Sequence, residues 1–361
     1  MNNKLTLLIA VLFVAVSCNK KTTVPEDELT EINRLYLEAK AEGNEFILWG
    51  GGDSPGGLNL IKNEWQKDFP DIKITARVDL SKFLDVDIDQ AIANGGVVPD
   101  VAQLQTIHDF HRWKLQGALE PFKSVNWNNI PDDIKDQNAA FTPLFMGTFS
   151  IVASRINVNP LPTSYLDLLK PQFKNKMMLT YPHDDDAVLF LYKKVVDKYG
   201  WAFVDSLIAQ NPEWIRGTAA PRAQIQKGNK LVTMGVSAAF EKERDGGSPI
   251  VLPAEDPFLT WPQTAAIFKN AKHKAAAKLY IAWILSKKMQ NVWTQWSVRK
   301  DMPTKGDYKN YREYPNTSPV EFINFMLDRN GVEQFKNQMK TKIGPVQGSS
   351  PLTDPYILSL L

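Results

Sequence analysis

In the stretch YPHDDDAVLF, His183, Asp184, Asp185 and Asp186 stand in succession ahead of an apolar run. One carboxylate suffices to cap a helix there. Three in a row repel one another and resist burial unless a cation or solvent compensates. The chemistry they offer is capture of a metal, a cation, or a solute with amine and hydroxyl donors. Hard oxygen ligands suit Ca²⁺, Mg²⁺ or ferric ion, and His183 widens the choice. The same four residues define a rival class, a metal-assisted hydrolase. The plainer alternative is a solvated acidic helix start.

A second group lies in EWIRGTAAPRAQ, where Trp214, Arg216, Thr218 and Arg222 offer an aromatic wall and a clamp for carboxylate or phosphate. The arginines could equally pair with Asp184 to Asp186 across a cleft, which would suit a zwitterionic solute. A third is the turn in FILWGGGDSPGG, residues 46–57. It is no P-loop, because Leu58, Asn59 and Leu60 follow Gly57, and no dinucleotide fingerprint, because Pro55 stands where the third glycine belongs. What remains is a turn presenting backbone N–H groups at a strand end, with Gly52, Asp53 and Ser54 as candidate ligand contacts. Ser54 is expected to N-cap a helix starting at Pro55, and Asp53 to meet either a ligand or a helix N-terminus. Gln105 and Thr106 after PDVAQLQ, and Trp261 in LTWPQT, complete the candidates. His108 and His111 have a metal-compatible spacing on a helix, but lack an obvious third ligand and read as a surface pair. No G-x-S-x-G, H-E-x-x-H or paired-cysteine motif occurs.

Lysine and arginine total 42 against 40 acids in 361 residues, so no global field marks a nucleic-acid or membrane partner. Ten tryptophans exceed what folding requires, and some are expected to line a cleft. Cys18 is the single cysteine, so the mature domain has neither a disulfide nor a thiol nucleophile. Lys4, the apolar run Leu5 to Val16 and the Val16-Ser17-Cys18 junction resemble a bacterial lipoprotein signal, which implies a leader over 1–17 and lipidation of Cys18. From Asn19 to about Glu28 the polar composition fits a tether.

The elements that must position these groups alternate. FILW, DIKITARVDL and PDVAQLQ read as strands, and segments ending at Phe69, in KFLDVDIDQAIANGG and in TIHDFHRWKLQG read as helices. Repeated βα units imply a parallel sheet with helices on both faces. FMGTFSIVASRINV is a long β-type run suited to crossing between lobes. Helices are expected over Ala187–Tyr199, Trp201–Gln210 and Arg222–Lys227, then a strand in LVTMGVSAAF. One long amphipathic helix is expected in HKAAAKLYIAWILSKKMQNVWTQW, and another from Ser318 to about Lys342.

The order LPTSYLDLLKPQFKNKMMLTYP, KGNKLVTMGVS and TAAIFKNAKHKAAAKLYIAWILSKKMQ resembles the extracellular solute-binding proteins of ABC importers, in the branch that includes ferric-ion-binding proteins. The resemblance implies an α/β, type II periplasmic-binding-protein-like fold. Two lobes, each a mostly parallel sheet flanked by helices, would be joined by crossing strands and close on a solute. It implies a tether and N-terminal helix over 18–44, a first lobe over 45–150, a second over 151–254, a return over 255–300 and a C-terminal helical segment over 301–361. It further implies a monomeric binding protein, not an enzyme, held in the periplasm or at the cell surface through Cys18. The protein would need no cofactor and would hand a small ligand to a membrane permease. A sensor or orphan binding role is the other non-enzymatic option. Iron binders of that branch use adjacent tyrosines late in the chain, whereas Tyr308 and Tyr311 stand apart here.

Overall fold

The computed structural model describes residues 27–241 and 248–361. Cys18 and the leader lie outside the described residues. Helix α1 (Glu28–Glu42) opens where Asp27 accepts a hydrogen bond from the Thr30 amide at 2.8 Å. Strand β1 (Glu45–Gly51) follows, with alternating burial that turns Phe46 and Leu48 inward. Helix α2 (Asn59–Asp68), β2 (Lys73–Asp79), α3 (Ser81–Ala93), β3 (Val101–Leu104), α4 (Ile107–Leu115) and the short β4 (Leu119–Glu120) complete the first run of βα units.

Strand β5 (Thr142–Ala153) is buried along nearly its whole length. The next elements are β6 (Met178–Thr180), α5 (Asp186–Tyr199), α6 (Trp201–Ala209), β7 (Glu213–Ile215), α7 (Ala219–Gln226), β8 (Val232–Val236) and β9 (Ile250–Val251). Strand β10 (Leu259–Phe268), buried at every position, carries the chain back to α8 (Lys274–Ile284) and α9 (Lys287–Val292). Helices α10 (Pro319–Leu327), α11 (Arg329–Ile343) and α12 (Pro355–Leu360) end it.

The main sheet runs β2-β1-β3-β10-β5-β8, with β4 on β10 and β9 on β5. Strand β1 is parallel to β2 and β3, while β10 is antiparallel to β3 and to β5. A separate parallel pair, β6 with β7, is bridged to β8 through Met177 and Val232. The fold is thus the expected two-lobed α/β arrangement, with the antiparallel pair β5 and β10 running through its middle. Along β5, Leu144 and Met146 enter one core with Phe46, Trp65 and Trp283. Further on, Phe149 and Ile151 enter a second with Leu189, Phe203 and Phe322.

Three local expectations need correction. Ser54 caps no helix: its carbonyl accepts from the Gly57 amide at 3.0 Å, closing a turn, and α2 begins four residues beyond Pro55. The helix expected over 273–296 is two. Ser286 takes an extended conformation (φ −64°, ψ 154°) and accepts from the Met289 amide at 3.2 Å to restart the chain as α9. The amphipathic character expected of that helix is confined to the first turns of α8, where Lys274 and Lys278 are partly exposed, since every residue from Leu279 to Ile284 is buried. The last expected helix breaks likewise at Asp328, whose carboxylate accepts from the Gly331 amide at 3.0 Å to start α11.

Candidate functional site

The loops after β1, β2 and β3 meet the starts of α5 and α7 around a cavity of about 410 Å³. Its floor is the crossing pair. Trp261 on β10 lies opposite Gly147 on β5, and a Cβ at that glycine would fall inside the contact distance of the indole ring. Glycine therefore lets the indole lie across its neighbour strand. The Trp261 N–H donates to Gln263 Oε1 at 3.2 Å, and its ring meets Phe149 at 4.6 Å between centroids. Phe145 and Trp293, 4.5 Å apart, extend this apolar wall, and Gln103 and Gln295 add amides beside it.

The three consecutive aspartates all line the cavity, but each already has partners. Asp184 accepts from Lys82 Nζ at 2.5 Å and from Arg216 Nε and Nη2 at 2.8 and 3.2 Å. Asp185 is the N-cap of α5, accepting from the Ala187 and Val188 amides at 2.9 and 3.1 Å. Burial pushes its carboxyl up to about 6, against the pull of those amides. Asp186 pairs with Arg329 at 3.0 Å and Lys336 at 2.8 Å. Burial pushes its carboxyl up, but the two cations outweigh that and hold it below the usual range. Mutual repulsion is thus relieved from within the chain. An open carboxylate nest for a cation is not what the fold builds.

Asp53 crosses the cavity from the glycine-rich turn to α7. Its Oδ2 accepts from the Thr218 amide, from the Thr218 hydroxyl at 2.8 Å and from the Ala219 amide at 3.2 Å. It therefore occupies the positive end of a helix, where orphan N–H groups favour an anion. Lys82 with Asp184 makes a second link across the same gap. Arg222 also lines the cavity, one turn into α7, and its guanidinium has no hydrogen-bond or ion-pair partner among the described residues.

Gly52, Ser54, Gln105, Thr106 and Trp261 line the cavity as well. His183, Trp214 and Arg216 do not. His183 packs on Tyr181 with ring centroids 5.6 Å apart, and burial holds its imidazole below the ordinary range. Trp214 stacks on Tyr181 as well, at 5.9 Å between centroids. Arg216 is spent on Asp184, so the internal pairing anticipated for an arginine and these acids exists there, while Arg222 stays free. Among the described residues no group of three or more His, Cys, Asp or Glu is placed to hold a metal ion, and His183 does not line the cavity. Tyr308 donates to the Ile250 carbonyl at 2.7 Å and Tyr311 is buried; neither reaches the cavity.

His108 and His111 are not a surface pair. His108 lines the cavity, with burial depressing its pKa, and His111 packs edge-on against Phe141 at 4.8 Å. Sequence reading also missed Ser81, Lys82 and Asp85, although DLSK is a strand end meeting a helix start like the loops it did select. Arg329 and Lys336 carried no local signal, because only the docking of α11 beside α5 brings them to the cavity.

Comparison with known proteins agrees with this architecture. Over 212 residues the chain is 28% identical to a putative 2-aminoethylphosphonate-binding periplasmic protein of Salmonella typhimurium, covering 54% of this chain and 63% of that one. The chain spans 56–63% of the length of the curated relatives it matches. Iron-bound HitA from Pseudomonas aeruginosa superposes with a TM-score of 0.62 at 17% identity, over 82% of this chain and 99% of the other. The periplasmic binding protein AfuA from Actinobacillus pleuropneumoniae, with fructose-6-phosphate bound, gives 0.66 at 16%, over 83% and 98%. Those likenesses establish the fold. The bacterial extracellular solute-binding protein profile matches residues 98–326, more than half of the 361, and the chain belongs to that family.

Proposed function

We propose that this protein is the solute-binding component of an ABC importer and that its solute is a small organic molecule bearing an oxyanion. The observation that carries this is Arg222, without a hydrogen-bond or ion-pair partner among the described residues, beside the α7 N-terminus in a cavity where Asp53, Asp184, Asp185 and Asp186 are all engaged by the chain's own groups. A volume of about 410 Å³ falls in the range of roughly 300–1,000 Å³ typical of small-ligand pockets and exceeds what a bare ion needs. The oxyanion would take the Thr218 and Ala219 donors with Arg222, and the aromatic and amide floor would take the body. The 2-aminoethylphosphonate named for one relative and the fructose-6-phosphate bound to another both have such a group.

In this reading residues 45–150 and 255–300 form one lobe and 151–254 the other, with 301–361 packed against both. The lobes close over the solute by bending at β5 and β10, and a membrane permease recognises the closed form. The protein is monomeric, performs no chemistry, and is held in the periplasm or at the cell surface by lipid on Cys18 after removal of 1–17.

Thermal shift and calorimetry with fructose 6-phosphate, 2-aminoethylphosphonate, inorganic phosphate and ferric ion test the ligand class, and native mass spectrometry reads any retained solute. Stabilisation by an organic oxyanion that Arg222→Ala abolishes supports the assignment. Response to ferric ion alone refutes it.

A further inference from the structure

Strand β10 turns Trp261 and Gln263 toward one face, and Gln103 on β3 pairs with Ala265, so the two glutamines are diagonal neighbours on the cavity floor. Gln263 is 6% and Gln103 3% exposed. In each, one end of the carboxamide is fixed from behind. The Trp261 indole carries a donor and no acceptor, so the group that meets it at 3.2 Å is Gln263 Oε1. The Tyr280 phenol is fully buried, and Gln103 Oε1 is the one partner its hydroxyl has among the described residues. Turning that amide round would leave the phenolic proton unmet in the core, at the cost of a buried donor. The NH₂ group of each glutamine therefore faces away from its anchor. Neither Nε2 donates to any group among the described residues, and both keep accessible surface at the cavity they line.

The neighbouring groups do not share this arrangement. Gln295 accepts from the Thr148 amide at 2.9 Å and donates to the Thr148 and Ala238 carbonyls at 3.4 and 2.9 Å, so both of its ends are engaged. The Phe145, Phe149 and Trp293 rings of the wall bring no acceptor. A donor that meets water in the empty cavity loses that water when a solute settles on it, and an unmet buried donor is costly. An alkyl chain against the floor would strand both NH₂ groups, and an ammonium there would oppose them with donors of its own.

We infer that Gln103 and Gln263 are specificity-determining residues whose fixed NH₂ groups take acceptor oxygens on the body of the solute, so that the molecule carries hydroxyl or carbonyl oxygens as well as its oxyanion. The inference rests on the oxyanion reading above for where the other end of the solute lies. Trp261 and Tyr280 set the polarity of the floor. Because each holds an amide oxygen from behind, neither amide turns over to serve a solute that brings donors instead.

Calorimetry with fructose 6-phosphate and with hexyl phosphate, which has similar length and no oxygen on its body, tests the contact. Methionine matches glutamine in length and lacks the donor. Gln103→Met and Gln263→Met should each lower the ratio of fructose 6-phosphate to hexyl phosphate affinity by about 2–12-fold, the fold-change of one neutral hydrogen bond. Equal loss of both ligands, or an unchanged ratio, overturns the inference and leaves the oxyanion assignment standing. NMR of wild-type protein labelled at the glutamine side chains gives a reading that needs no variant. The two amides are assigned through the nuclear Overhauser effects of the Trp261 indole and Tyr280 ring protons, and both should shift with fructose 6-phosphate and not with inorganic phosphate. Binding of fructose 6-phosphate that leaves both amides unmoved also overturns the inference. If fructose 6-phosphate, hexyl phosphate and inorganic phosphate all fail to bind, the oxyanion assignment falls. Fructose alone, at high concentration, then decides the floor: shifted amides uphold it and unmoved amides refute it.

Discussion

Removing the carboxylate of Asp53 separates two roles that the geometry holds together. In the empty protein this group satisfies two orphan amides and a hydroxyl at the start of α7, from a turn on the opposite side of the cavity. Loss of such a cap costs about 0.5–2 kcal/mol. A solute oxyanion that settles on the same donors must first displace Asp53 and forgo that amount. Asp53→Ala should therefore lower the stability of the empty protein by about 0.5–2 kcal/mol and tighten fructose 6-phosphate binding by the matching factor, about 2–30-fold. Asp53→Asn retains an acceptor without the charge and should fall between wild type and Ala. Urea denaturation of the empty protein and calorimetric titration of all three proteins measure the two quantities. Small-angle scattering should show a larger radius of gyration for empty Asp53→Ala, because one of the two links across the cavity is gone. Weaker binding in both variants would mean that Asp53 holds the solute itself, and the reasoning would fall.

Arg222→Ala should weaken binding of the same probe by about 1.5–3 kcal/mol, the value of a charged hydrogen bond, while the melting temperature of the empty protein hardly moves, because this guanidinium has no hydrogen-bond or ion-pair partner among the described residues. In urea denaturation the part of the stability that Asp85 and Asp185 carry should fall as pH rises from about 4 to 7, while the buried His108, His111 and His183, whose pKa values burial lowers, contribute in the opposite sense. Asp85 and Asp185 keep their protons in the fold, up to about 7 and about 6, after the unfolded chain has lost them, and Asp85→Asn should flatten part of that slope. Gly147→Ala drives a methyl into the Trp261 ring and should cost about 1–3 kcal/mol of overpacking, with a shift in tryptophan fluorescence to report the displaced indole. Cys18→Ser should abolish membrane retention, read by detergent partitioning; unchanged partitioning with normal processing would refute lipidation.

The sequence by itself determined the elements and their order, because apolar periodicity and strand-end turns are local. The β1 turn, the long β5 run and the acidic start of α5 were all legible, as were the loop after β3 and the start of α7, but not the loop after β2 that brings Ser81 and Lys82 to the cavity. Tertiary structure alone decided what those loops present. Asp184 and Asp186 looked like an open cation site until Lys82, Arg216, Arg329 and Lys336 arrived from three other elements to neutralise them. Ser286 and Asp328 break apparently continuous helical patterns, a choice made where burial of α8 on all sides from Leu279 to Ile284 and the docking of α11 beside α5 outweigh periodicity. Arg216 and Arg222 are six residues apart and chemically identical. One is locked to Asp184 and the other faces the cavity unpaired, because charge compensation depends on distances in space that no spacing in the chain encodes.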